Sequence, residues 1–162
     1  PSVFASWGTP VIPGFDSAAV RMTPDGGLEI RVGVHSHGQG METTFAQIAH
    51  ETPGVDIAHM KLVHGDTGQT PFSTGTYASR SLVMSGGAVA RACKALAPRI
   101  LHIGAHLLGA TPDAAVLAGG RIVVGDRSVP VAEVARYPLS LGGRGVATRQ
   151  VFDLACWAEG VQ

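Results

Sequence analysis

Three patterns predict a fold that combines a hairpin-rich β-sheet with two or three helices. They are a strand-like pair around a proline–glycine turn, a short amphipathic helix, and a long stretch of apolar residues at helical spacing. In the first, Leu28, Ile30, Val32 and Val34 alternate with Glu29 and Arg31, and Pro24-Asp25-Gly26-Gly27 separates this run from Ala19–Thr23. Period-two alternation on either side of a turn whose dihedrals proline and glycine supply reads as a hairpin.

The second pattern places Met41, Phe45, Ile48 and Ala49 on one face, so a helix is expected from about Gly40 to Glu51, stopped by Thr52-Pro53-Gly54. His59 to Asp66 alternates again and reads as a strand. Thr67 to Ser81, rich in Gly, Ser and Thr, reads as a long polar loop, a length that usually marks function or disorder. The third pattern, from Leu82 to about Leu108, is apolar on most sides, as in a buried helix. Pro98 lies inside it and predicts either a kink or a break into two helices. The Ser85-Gly86-Gly87-Ala88 segment offers a place for another backbone to approach closely. Farther on, a hairpin should turn at Gly119-Gly120, and Val129 to Arg136 should start a short helix. Residues 1–16, with Gly8, Pro10, Pro13 and Gly14, read as an irregular approach, and 137–162 show no strong period.

A chain of 162 residues suits one domain, here taken as 1–162. It is long enough to bury roughly two-thirds of its unfolded surface. Charged residues make up only 15% of it, against a norm of about 25%. Either part of the exterior is covered by other protein, or the 22 glycines inflate the apolar share. Twelve basic and twelve acidic residues cancel without a Lys/Arg cluster, which argues against nucleic-acid binding. No apolar run is long enough to span a bilayer, and the N-terminus lacks a signal-peptide pattern. Cytoplasmic location is expected. The start at "PSVF" reads as a start inside a longer polypeptide. Two cysteines, Cys93 and Cys156, are too few for a disulfide framework or an iron–sulfur cluster, and Cys93 reads as core.

Chemistry concentrates at two helix starts. His35 and His37 share a strand face, but no third ligand follows at metal spacing, so a metal site there is the weaker reading and a polar strand end the stronger. Behind them, Gly38 and Gly40 flank Gln39 where strand passes to helix. Unpaired amides and the helix dipole attract an anion there, and glycine lets it come close. Thr43 and Thr44 add hydroxyls. The second start, Ala78-Ser79-Arg80-Ser81, offers two hydroxyls, free amides and a guanidinium fork, or in the simpler reading an ordinary serine N-cap. Two matched starts suggest one large phosphate-bearing ligand held between them. Neither a P-loop nor a dinucleotide fingerprint is present. Hydrolase chemistry has no support: the nucleophile elbow is missing, and His64 and Asp66 have no partner to activate.

The segments "HGQGMETTFAQIAHE", "KLVHGDTGQTPFSTGTYASRS" and "SGGAVARACKAL" resemble the molybdenum-binding region of the xanthine dehydrogenase and aldehyde oxidase family, especially the large subunits of the carbon monoxide dehydrogenase type. The resemblance covers about residues 14–136, and 137–162 fit it loosely. It implies an α+β fold, a partial molybdopterin-binding domain with molybdopterin cytosine dinucleotide as cofactor. Molybdenum would be held through the pterin, with no protein metal ligand. Carried over, the cofactor contacts are Gly38, Gln39, Gly40, Ser79, Arg80 and Ser81, with Thr43 and Thr44 as weaker candidates. The family's general base, a glutamate in a Val-Gly-Glu motif, has no counterpart in this sequence, so no catalytic residue is assigned. The resemblance further implies partners: the remaining segments of the molybdenum subunit, iron–sulfur and FAD-carrying subunits or domains, and homo-dimerisation of the complex. The completed enzyme would hydroxylate an aldehyde or N-heterocycle, or oxidise another small substrate, with water-derived oxygen. The alternatives are a non-catalytic relic, an assembly or cofactor-binding module, and a structural domain without ligand.

Overall fold

A computed structural model describes residues 2–8 and 14–136. The order of elements is β1 (Ser2–Gly8), β2 (Phe15–Met22), β3 (Leu28–Val32), α1 (Met41–His50), β4 (Met60–Val63), α2 (Ser81–Leu107), β5 (Val116–Ala118), β6 (Arg121–Val124) and β7 (Arg127–Pro130). Short 3-10 turns cover Ile57–His59, Pro112–Ala114 and Val131–Arg136. The fold is α+β, with a four-stranded sheet in the order β1-β2-β3-β4 and a three-stranded sheet in the order β5-β6-β7.

The hairpin around Pro24–Gly27 forms as expected, with Met22 opposite Leu28 and Val20 opposite Ile30. Leu28, Ile30, Val32 and Val34 are all fully buried. On the opposite face Glu29 is covered too, because Arg21 and Arg31 close over it with nitrogens 2.8 and 2.6 Å from its Oε1. β4 then joins β3 in parallel, Ile30 beside Leu62, which requires the crossover that α1 provides.

The N-terminal expectation needs correction. Residues 2–8 form β1, an edge strand antiparallel to β2, and β2 begins at Phe15. The glycines and prolines that suggested irregularity cluster at 8–14, between two strands. Val3, Ala5 and Trp7 pack on the core, whereas Phe4 is largely exposed. The exposed Phe4 blurs that alternation in the sequence, because an apolar side chain sits where a polar one would mark the outer face.

Helix α2 settles the question raised by Pro98: it is one helix of 27 residues with the proline inside it. Pro98 and Lys94 are both solvent-exposed, so the carbonyl that loses its partner belongs to the side of the helix turned to solvent. α2 lies along β1 and β2, and α1 packs beside it. At Gly87 and Gly86 side chains approach, not a second backbone as expected. A Cβ at Gly87 would collide with the Trp7 indole, and one at Gly86 would press on Ile48 Cδ1 at 3.0 Å. Cys93 is buried in the core, and desolvation pushes its thiol up to about 12, which makes it inert.

The second sheet packs on the C-terminal end of α2, where Gly104 makes room for Ile122. Its first hairpin turns at Gly119-Gly120, both with positive φ (54° and 72°), joining Ala118 to Arg121. Arg127–Pro130 forms β7, so the helical turn begins at Val131 and not at Val129. The 137–162 tail and Cys156 lie outside the described residues. No helix is long and apolar enough to cross a membrane among the described residues.

Candidate functional site

Both helix starts carry the feature that the anion reading requires: neither is capped by a side chain. Gly40 is the residue before α1, in a left-handed conformation (φ 75°), and Gly38 is left-handed as well (φ 93°). A Cβ added at either glycine would meet nothing within 4 Å, so the space beside this turn is open. Gln39 is exposed, and its Oε1 accepts from the His37 amide at 2.5 Å, which closes the turn and leaves its NH₂ to donate outward. Thr43 is exposed. Thr44 donates its hydroxyl to the Gly40 carbonyl at 3.1 Å, so it steadies the turn and keeps its lone pairs.

The second start is more strained. Ala78 (φ 50°) and Ser79 (φ 54°) are consecutive left-handed residues, a conformation that L-residues other than Gly, Asn and Asp rarely adopt. They turn the chain into α2 by way of the Arg80 amide, which donates to Tyr77 O at 3.2 Å. Arg80 itself, not a serine, occupies the N-cap position. The simple serine-cap reading therefore does not hold here. Ser79 is exposed and Ser81 half-buried.

Arg80 does not extend into solvent as a free fork. Its side chain is fully buried, and Nη1 donates to Asp16 Oδ1 at 3.2 Å and to Gly75 O at 3.0 Å. The Tyr77 ring lies 5.0 Å from its Cζ. Nε and Nη2 are buried with no hydrogen-bond partner among the described residues. Unpaired guanidinium N–H groups away from water are costly, and an incoming acceptor would relieve that cost.

Asp16 organises this corner. Its Oδ1 accepts from Ser73 Oγ (2.9 Å), Thr74 N (3.1 Å) and Thr74 Oγ1 (3.3 Å) as well as from Arg80, and its Oδ2 accepts from Ser85 Oγ at 2.7 Å. One buried carboxylate thus holds the end of the long loop, the guanidinium and the first turns of α2. Nothing in the sequence marked it, because it lies in the stretch read as irregular and its partners are 57 to 69 positions away.

Thr76 joins the two starts. Its Oγ1 accepts from the His35 amide at 2.9 Å and donates to the His35 carbonyl at 2.8 Å. The loop before α1 and the loop before α2 are thereby fastened side by side, as one ligand bridging both would require. Gly33 contributes closeness: a Cβ there would collide with Pro71 O and Ser73.

His35, His37 and His64 gather beside Gly38. His64 Nδ1 lies 3.3 Å from His35 Nδ1, His64 Nε2 lies 3.2 Å from Glu42 Oε1, and the His35 and His37 rings meet edge-on at 5.9 Å. The neighbours of His64 are thus Glu42 and His35, neither of them a nucleophile for it to activate. Asp66 instead closes its own turn. Gln69 Nε2 and the Gly68 amide hydrogen-bond to it, holding its carboxyl below the usual range. No set of three or more His, Cys, Asp or Glu side chains is placed to hold a metal ion among the described residues.

Comparison with known proteins shows the family. The family described as molybdopterin cofactor-binding domain matches residues 2–160. The carbon monoxide dehydrogenase large chain of Afipia carboxidovorans is 39% identical over 94 residues, covering 58% of this chain and 12% of that protein. The putative xanthine dehydrogenase molybdenum-binding subunit of Escherichia coli is 32% identical over 111 residues, covering 68% of this chain and 15% of that protein. Among solved structures, the Cu,Mo-CO dehydrogenase in its carbon monoxide reduced state superposes with a TM-score of 0.72 at 27% identity, over 83% of this chain and 19% of that one. The chain thus spans less than a fifth of the relatives it matches. On the fold, the two uncapped helix starts and these matches, the chain belongs to the molybdopterin cofactor-binding domain family of molybdenum oxidoreductase large subunits, the carbon monoxide dehydrogenase and xanthine dehydrogenase kind.

Proposed function

We propose that this chain is the cofactor-cradling part of a molybdenum hydroxylase large subunit, and that it grips molybdopterin cytosine dinucleotide between the starts of α1 and α2. The observation that carries this reading is the buried Arg80 guanidinium, with Nε and Nη2 lacking any partner among the described residues. An acceptor-rich phosphate or pterin oxygen supplies what those groups lack. The open, left-handed Gly38 and Gly40 fit the same group, since their bare backbone lets a ligand approach the α1 amides.

Within the cradle Gly38, Gly40 and the following amides would face an anionic group. Gln39 would donate from its NH₂, and Thr43 and Thr44 would offer hydroxyls. Ser79 and Ser81 would contribute hydroxyls and amides at the second start, and Asp16 would hold Arg80 and the loop in place. Bound there, the group supplies two-electron redox chemistry at molybdenum, and the protein supplies position and electrostatics. The substrate is proposed as an aldehyde or N-heterocycle, or another small oxidisable molecule, hydroxylated with water-derived oxygen. The remaining segments of the large subunit, with the general-base glutamate, and iron–sulfur and FAD-carrying partners would complete the enzyme. A cytoplasmic complex that dimerises accords with the family.

Native mass spectrometry of the chain produced in a host that makes the cofactor tests the reading. A bound pterin dinucleotide is expected, with at least tenfold weaker retention in Arg80→Lys and in Gly38→Val, which leaves the core untouched. Absence of the dinucleotide from wild type, or full retention by both variants, would sink it.

A further inference from the structure

Beside the α1 start runs a hydrogen-bonded chain that the cradle described above does not use. Glu42 sits in the first turn of α1, His64 follows β4, and His35 follows β3. The Glu42 carboxyl is held below its ordinary range, first by its own backbone amide and next by His64. At neutral pH it therefore only accepts, and His64 Nε2, 3.2 Å away, must carry the proton. Where His64 carries a single N–H, that N–H is on Nε2 and Nδ1 is bare. The group 3.3 Å from it, His35 Nδ1, must then be the donor. That leaves His35 Nε2 without a proton.

The ring is held on several sides. Thr76 clamps the His35 backbone, and Gly65 packs so closely that a Cβ there would lie 2.7 Å from Nδ1. His37 meets the ring edge-on, and the Asp66 carboxylate, next in the chain to Gly65, is turned to Gln69 and Gly68.

We propose that Glu42 and His64 are positioning residues that fix His35 in its Nδ1-protonated tautomer, so that Nε2 accepts a hydrogen bond from an N–H or O–H of the ligand. This rests on the reading of the α1 start as a cofactor cradle. The consequence is a division of labour. The amides after Gly38 present donors only and suit anionic groups, whereas His35 presents an acceptor and suits a ring or sugar donor on the same molecule. A simple anion would have no use for it.

The test is long-range ¹H–¹⁵N NMR of the full chain with ¹⁵N-labelled histidine, without ligand. His35 is expected to be protonated on Nδ1 and His64 on Nε2. Glu42→Gln should keep this pattern, because its Oε1 can accept the same bond. Glu42→Ala and His64→Ala should lose it, with the backbone amide spectrum otherwise retained. A His35 proton on Nε2 in wild type, a doubly protonated His64, or a His35 tautomer indifferent to both alanine variants overturns the proposal whatever the cradle binds. Adding molybdopterin cytosine dinucleotide should then move the His35 Nε2 signal together with the Gly38 and Gly40 amides. Movement of the amides alone would leave the cradle standing and overturn the proposal. Movement of neither would overturn both.

Discussion

Asp16 and Arg80, 64 positions apart, meet with Oδ1 and Nη1 at 3.2 Å and both side chains fully buried. The pair ties the start of β2 to the start of α2. A buried charge left alone is far costlier than an intact pair or an apolar replacement of both. Asp16→Ala should therefore destabilise the chain by about 3–5 kcal/mol in chemical denaturation. Asp16→Ala combined with Arg80→Met should recover much of that loss while still abolishing cofactor retention. A double variant no more stable than the single one would show that the ion pair is not what matters.

Ala78 and Ser79 turn the chain with positive φ. The left-handed conformation costs a residue with a Cβ about 1–2 kcal/mol. Replacement by glycine returns part of the gain by loosening the unfolded chain, about 0.4–1 kcal/mol. Ala78→Gly should consequently raise stability by about 0.5–1 kcal/mol, read as a higher denaturation midpoint with an unchanged slope. A lower midpoint would mean that the turn is not held in this conformation.

Thr76→Val keeps the shape of the side chain and removes the hydroxyl that bridges to His35. The freed groups lie near solvent, so the stability change should be about 1 kcal/mol or less. The loops should come apart all the same. Amide exchange at His35 is expected to speed up, and cofactor retention to fall, with α1 and α2 unaffected. Unaltered exchange at His35 would show that the bridge is not formed in solution.

Acid should destabilise the fold through Glu29. Burial pushes its carboxyl up, but the hydrogen bonds and charges of Arg21 and Arg31 outweigh this and hold it below the ordinary carboxylate value. A carboxyl with a depressed folded-state pKa contributes stability that is fully present above its unfolded value. That contribution is lost as pH falls through the folded one. Stability should hold steady above about pH 5 and decline below about pH 4.5. Glu29→Gln should show a lower plateau and a shallower decline, and an equal decline in both proteins would assign the acid sensitivity elsewhere.

Much of the fold was legible because its causes are local. The Leu28–Val34 alternation, the Gly119-Gly120 turn and the Met41–Ala49 face each follow from neighbours within a few residues, and each was found where expected. β1 escaped because Phe4, a large apolar residue, lies on its exposed face and blurs the period-two alternation of Val3, Ala5 and Trp7. The Pro98 ambiguity is one that sequence poses and the continuous α2 helix answers. Gly38, Gln39, Gly40, Ser79, Arg80 and Ser81 could be named as cradle candidates from motif and helix physics. The direction of the Arg80 side chain could not, since it depends on a carboxylate 64 positions away.

By itself, then, the sequence determined the helix and hairpin elements, the two glycine- and serine-rich helix starts, and the family resemblance they carry. Those properties depend on short-range spacing and backbone dihedral preference. Tertiary structure alone decided that Asp16 anchors Arg80, that Thr76 fastens one helix start to the other, and that Glu42, His64 and His35 come into line. Each of these is a contact between groups far apart in the chain, and only the packing of α1 and α2 on the sheet brings them within hydrogen-bonding reach.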